Sequence, residues 1–89
     1  MSFIYILHSQ KDGKLYTGFT ENLKNRLKAH LGGYIKATQN RLPLQLIHYE
    51  YFLNISDAKR REKYLKGGNG KNKVEIMLKT YFESIPWIK

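Results

Sequence analysis

The sequence predicts an α/β domain of the α+β kind, a three-stranded antiparallel sheet flanked by helices in the order β-β-α-β-α-α. Three observations predict it. Ser2 to Ser9 contains Phe3-Ile4-Tyr5-Ile6-Leu7, apolar on both faces, as a central strand covered on two sides requires. Asp12-Gly13 then leads into Leu15 to Phe19, a hairpin signal, because both central positions of a type I′ turn need φ > 0. Finally, Leu23, Leu27 and Leu31, then Ala58 and Leu65, then Val74, Met77, Leu78, Tyr81 and Ile85 recur at helical spacing.

The hairpin decides which side chains meet. With Asp12 and Gly13 as its loop, Ser9 is expected opposite Tyr16, and Tyr5 opposite Thr20. Opposed residues share a face. Tyr5, Leu7 and Ser9 should therefore stand with Tyr16, Gly18 and Thr20, two phenols on one surface with the side-chain-free Gly18 leaving room between them.

Thr20 is expected to cap the first helix, Glu21 to Leu31, by accepting from an orphan N–H of the first turn. Gly32-Gly33 ends that helix. At about 100° per residue, Arg26 and His30 lie one turn apart beside the leucine stripe. Lys24, Asn25 and Lys28 take the outer face. Arg26 is thus expected where the helix meets the sheet. Tyr34 to Pro43, with Lys36 and Arg41, reads as a basic loop, expected to act as a flap beside the site within reach of phosphates.

Leu44 to Leu53 is the third strand, with Leu44, Leu46, His48 and Glu50 expected on one face and Ile47, Tyr49, Tyr51 and Leu53 on the other. His48 and Glu50 read as ordinary edge-strand residues. Ser56 is expected to cap the second helix. There Glu62 takes the centre of the Ala58/Leu65 stripe, where an apolar residue would face the core, while Lys59, Arg60 and Lys63 crowd the outer faces. A carboxylate in that place fits two readings, an ion pair with Arg61 or Arg26, or a ligand for a hard divalent cation. Gly67-Gly68-Asn69-Gly70 has no Walker spacing and reads as a hinge. The last stripe is core packing; Pro86 ends it, and Trp87 and Ile88 are expected to fold back onto the sheet.

Composition narrows the function. The 89 residues, 1–89, read as a single domain with no repeat or linker. The absence of cysteine rules out a disulfide framework and a thiolate zinc site. No apolar run approaches the ~18 residues of a membrane span. No basic region precedes an apolar stretch at the N-terminus, so no signal peptide is expected and a cytoplasmic location follows by default. Sixteen basic against 7 acidic side chains leave a net charge of +9, which points to a polyanion partner, nucleic acid above all. Lys24, Lys28, Lys59, Lys63, Lys66 and Lys71 are the candidate phosphate contacts.

In this order these residues resemble the GIY-YIG nuclease family, in a small single-domain form related to the catalytic domain of the bacterial excision-repair endonuclease subunit. Phe3-Ile4-Tyr5 corresponds to the first signature tripeptide, with Phe3 in place of glycine. Tyr16-Thr17-Gly18 corresponds to the second, with Thr17 in place of isoleucine. Arg26 and His30 match the arginine and histidine of the following helix, and Thr38 a later threonine. Glu62, in the run Ala58-Lys59-Arg60-Arg61-Glu62-Lys63-Tyr64-Leu65-Lys66, matches the acidic metal ligand. Asn69 and Asn72 both lie near a family asparagine.

The resemblance implies a central first strand and a metal-dependent endonuclease acting on nucleic acid, with DNA the expected substrate and repair or recombination the setting. It implies the catalytic set Tyr5, Tyr16, Arg26, His30 and Glu62, with Glu62 holding Mg²⁺ or Mn²⁺ as a Lewis acid. Arg26 would pair with charge developing on the phosphorane. Tyr5 is assigned the base, with Tyr16 and His30 as alternatives; a free phenol has a pKa near ~10, so the role needs a nearby cation. Two other readings are a nucleic-acid-binding module with idle catalytic equipment and an accessory subunit of a repair complex. Neither requires a carboxylate in a helix core stripe. Related nucleases commonly carry a separate targeting domain, for which 89 residues leave no room. Low intrinsic sequence specificity, or a partner protein that supplies targeting, is therefore expected.

Overall fold

The central element is β1 (Ser2–Ser9), hydrogen-bonded on one side to β2 (Leu15–Thr20) and on the other to β3 (Leu44–Phe52), both antiparallel. This computed structural model describes residues 1–85. The expectation for Pro86, Trp87 and Ile88 lies outside the described residues. Ile4 to Ser9 are all buried, which is why both parities of this strand are apolar or hydrogen-bonded.

Each face of the sheet is covered by different helices. Tyr5 and Leu7 pack under Leu23 and Leu27 of α1 (Leu23–Leu31), with Leu44 and Tyr16 beside them. Ile4 and Ile6 face the other way, against Ala58 and Leu65 of α2 (Ile55–Lys66) and Val74 of α3 (Gly70–Met77). Phe82 of α4 (Lys79–Ser84) closes that layer. The last helical region of the predicted order is thus divided at Leu78, whose backbone (φ −115, ψ 40) leaves the helical range. No helix among the described residues is long and apolar enough to cross a membrane.

The hairpin has four loop residues, Gln10 to Gly13. Ser9 N–H donates to Lys14 O and Gly13 N–H to Ser9 O, both at 2.9 Å, and Gly13 supplies the positive φ of 71°. The register therefore differs from the two-residue loop read from Asp12-Gly13. Tyr16 pairs with Leu7, and Gly18 pairs with Tyr5. A shift of two residues is one full pleat, so every side chain keeps its expected face.

β3 does not follow simple alternation. Leu7 pairs with Leu46 and Ile6 with His48, leaving Ile47 as the extra residue of a β-bulge. Leu44 and Leu46 consequently join the Tyr5 face. His48 and Glu50, expected beside them, pair with Ile6 and Ile4 on the opposite face. Tyr49 and Tyr51 pair with Tyr5 and Phe3.

Both expected caps move as well. Thr20 makes a turn with Asn22, receiving its N–H at 3.1 Å, and Asn22 caps α1 by accepting the Asn25 N–H at 3.1 Å. α2 begins after Asn54, which makes no side-chain cap bond, so Ser56 lies inside the helix.

Candidate active site

The site is built on Tyr5. Its ring lies directly over Gly18 of the neighbouring strand; a Cβ at Gly18 would run into the ring and hydroxyl. Glycine here is a requirement of close approach. Tyr16 stands on the same face, its ring 6.3 Å from that of Tyr5 and 5.1 Å from that of His30.

α1 brings two polar groups to the Tyr5 hydroxyl. Arg26 Nε–H donates to it at 3.4 Å, and His30 Nε2 lies 2.8 Å away. His30 is fully buried, and its Nδ1 meets the equally buried Thr38 hydroxyl at 2.8 Å. In a neutral imidazole one ring nitrogen donates and the other accepts, so His30 links the Tyr5 and Thr38 hydroxyls in one buried hydrogen-bonded chain.

Burial, followed by the Arg26 charge, pushes His30 down to about 4, so the ring is neutral. Burial also pushes the Tyr5 phenol up; the Arg26 hydrogen bond opposes this shift and the neighbouring Tyr16 adds to it. Arg26 in turn is raised by its bond to Tyr5. Charge on Tyr5 is therefore opposed by burial and favoured by Arg26.

The Thr38 segment differs from the expected flap. Ser9 Oγ donates to Arg41 O at 2.6 Å, Gln10 N–H to Pro43 O at 2.8 Å, and Arg41 Nε pairs with Asp12 at 2.9 Å. These bonds tie the loop to the β1–β2 turn and hold Thr38 under His30. The residues alone gave Thr38 no role; a threonine in a polar loop carries no sign of a long-range partner.

Glu62 lies on the other layer. Its half-buried carboxylate, 19% exposed, accepts from Lys66 Nζ at 2.8 Å. Arg61 and Arg26, the partners considered from sequence, are used elsewhere: Arg61 forks onto Glu50 at 2.9 and 3.0 Å, with His48 on the same carboxylate at 3.0 Å. The two layers meet at the free edge of β2. A cleft of about 440 Å³ there is lined by Tyr16, Lys14, Lys66 and Lys71, so the lysine that holds Glu62 and the second phenol share one wall.

The donor set around Glu62 bears on a metal. The described residues contain no group of three or more His, Cys, Asp or Glu side chains able to enclose an ion. That pattern fits Mg²⁺, which keeps several waters and takes one or two carboxylates together with substrate phosphate. It does not fit zinc, which takes three or four protein ligands.

The six candidate lysines are all exposed. Lys24 and Lys28 lie on α1, and Lys59, Lys63, Lys66 and Lys71 on the opposite layer, with Lys59 Nζ 4.3 Å from the centre of the Phe19 ring.

A sheet carrying paired tyrosines against a helix with an arginine and a histidine defines a small α+β domain of the GIY-YIG type. Residues 1–75 match the family described as the GIY-YIG catalytic domain, and the chain belongs to that family, a nuclease family. It is 41% identical over 78 residues to a UPF0213 protein of Clostridium perfringens, covering 86% of this chain and 83% of the relative. It is 42% identical over 72 residues to a UPF0213 protein of Bacillus licheniformis, covering 80% and 73%. The solution NMR structure of a UPF0213 protein from Bacillus halodurans superposes with a TM-score of 0.56 at 32% identity, covering 88% of this chain and 86% of that one.

Proposed function

We propose that the chain is a divalent-metal-dependent endonuclease that hydrolyses phosphodiester bonds in nucleic acid, with DNA as substrate and repair or recombination as its setting. The observation that supports this best is the convergence of Arg26 Nε and His30 Nε2 on the buried Tyr5 hydroxyl. The Arg26 N–H and its charge beside the phenol oxygen oppose the effect of burial and favour the ionised form. As phenolate, Tyr5 takes a proton from the attacking water. His30 stays neutral and joins the Tyr5 and Thr38 hydroxyls through its two ring nitrogens. Arg26, beside both phenols, pairs with the charge that grows on phosphorus and interacts more strongly with the transition state than with the ground-state diester. Glu62 would hold Mg²⁺ or Mn²⁺, which when bound supplies Lewis-acid polarisation of the phosphate and the leaving oxygen. Lys14, Lys66 and Lys71 would guide the backbone along the β2 edge to Tyr16.

Cleavage of supercoiled plasmid with Mg²⁺ and with chelator tests the reading. The Glu62–Lys66 pair is an i, i+4 helix pair, a kind that contributes only about 0.3–0.5 kcal/mol. Glu62→Gln should therefore leave the fold intact and abolish nicking. Arg26→Ala should lower the single-turnover rate roughly 10²–10³-fold while weakening DNA affinity far less, and Lys28→Ala should show the reverse. Metal-independent binding with no cleavage of any substrate would replace this reading with the binding module.

A further inference from the structure

We propose that the sheet surface beside α1 is a stacking platform for unpaired nucleotides, formed by Phe3, Tyr49 and Tyr51. The proposal rests on the nucleic-acid reading above and names the substrate feature it favours.

α1 begins at Leu23 and covers Tyr5 and Leu7, and it leaves the Phe3 end of the same face open. A groove of about 650 Å³ remains there between α1 and the strands; Phe3, Leu23, Leu27, Leu46 and Tyr49 are among its lining, with Glu21 and Lys24 as its charged residues. Tyr49 and Tyr51, two positions apart on β3, are 54% and 51% exposed. Phe3, on the central strand, braces both, its ring centre 5.5 Å from Tyr51 and 6.3 Å from Tyr49. Isolated exposed aromatics need no explanation, but a contiguous aromatic surface does.

Charge and position select the occupant. The chain carries +9 and attracts a polyanion. Glu21 and Lys24 offset one another within the groove, so it is the net charge of +9 that repels a second copy. Lys24 and Arg26 lie about 160° apart around α1. The groove opens on the Lys24 flank of that helix, and its Tyr49 is the cross-strand neighbour of Tyr5. An extended strand can run from the Tyr5–Arg26 centre past the helix and leave a base on the aromatic rings. Exposed ring faces suit stacking by bases outside a duplex, whose own faces are free. The favoured substrate is thus one with single-stranded nucleotides beside the cleaved bond.

Fluorescence anisotropy in chelator, with a blunt duplex and the same duplex bearing a single-stranded extension at either end, tests this. The extension should tighten binding, and Tyr49→Ala with Tyr51→Ala should remove that gain, roughly ten- to a hundredfold. Tyr49→Phe with Tyr51→Phe keeps the ring faces and should keep the gain, which separates stacking from a folding defect. Equal affinity for the two duplexes, or an unchanged gain in the alanine pair, overturns the platform. So does a wild-type dimer that the alanine pair dissociates, which would make the face a self-interface. Plasmid nicking separates the two readings. A protein that nicks but ignores extensions keeps the nuclease and loses the platform; one that prefers extensions through these tyrosines and cleaves nothing does the opposite.

Discussion

At the scale of single residues, the decisive contact is the one between Thr38 and His30. It orients the ring whose other nitrogen meets the Tyr5 hydroxyl. Thr38→Val keeps the shape and removes the hydroxyl, so the ring loses the bond that holds it against Tyr5. Cleavage should fall roughly tenfold to a hundredfold, the loss typical when the group orienting a histidine is removed. Thr38→Ser should restore most of it. Equal rates for valine and serine would show that the hydroxyl orients nothing. His30 also links the site to stability. Its ring is about 4 in the fold against an ordinary 6.5. Between these values the unfolded chain binds the proton and the folded one does not. Stability should therefore decline as pH falls from about 6.5 to 4, by about 3 kcal/mol for this group. Urea titrations at several pH values should show that decline, and His30→Gln should lack this component of it.

At the scale of elements, the bulge at Ile47 has the widest effect. It brings Leu44 and Leu46 under α1 and turns His48 and Glu50 toward Arg61. Deleting Ile47 would leave Leu46 opposite Leu7 and His48 opposite Ile6, keep every face, and lose only the packing of Ile47 on the α2 and α3 layer. The variant should therefore keep a cooperative denaturation transition at a loss of about 2–5 kcal/mol, whereas Ile47→Val should cost only about 0.5–1.5 kcal/mol. The bulge was not legible in the sequence, because no Gly or Pro marks it and each residue of Leu44 to Phe52 suits a strand. The break at Leu78 went unmarked for the same reason. Thr20 and Asn22 are both capping residues two apart, and sequence alone does not rank them. What was legible rests on periodicity. Both parities of β1 are apolar, so its central place could be read. The shared face of Tyr5, Tyr16 and Gly18 survived a misplaced register because the error was one whole pleat. The helical angle placed Arg26 and His30 beside the leucine stripe. Contacts between distant segments, such as Thr38 with His30, have no local pattern to read.

At the scale of the whole molecule, the two layers are joined through one strand. The apolar cluster under α1 and the one under α2 and α3 both take their most buried members from β1, Tyr5 and Leu7 on one side and Ile4 and Ile6 on the other. A wall common to two rooms cannot be removed from one of them alone. Neither layer can open fully while the other persists, so the β1 amides should exchange with solvent deuterium only through global unfolding. Leu27→Ala, which touches the α1 layer alone, should speed exchange on the Ile4 and Ile6 amides by the same factor as on those of Tyr5 and Leu7. Faster exchange confined to the α1 side would mean two separable units. The strand that supplies the signature tyrosine would thus also hold the molecule to a single cooperative transition, keeping Tyr5 from loosening before the rest of the fold.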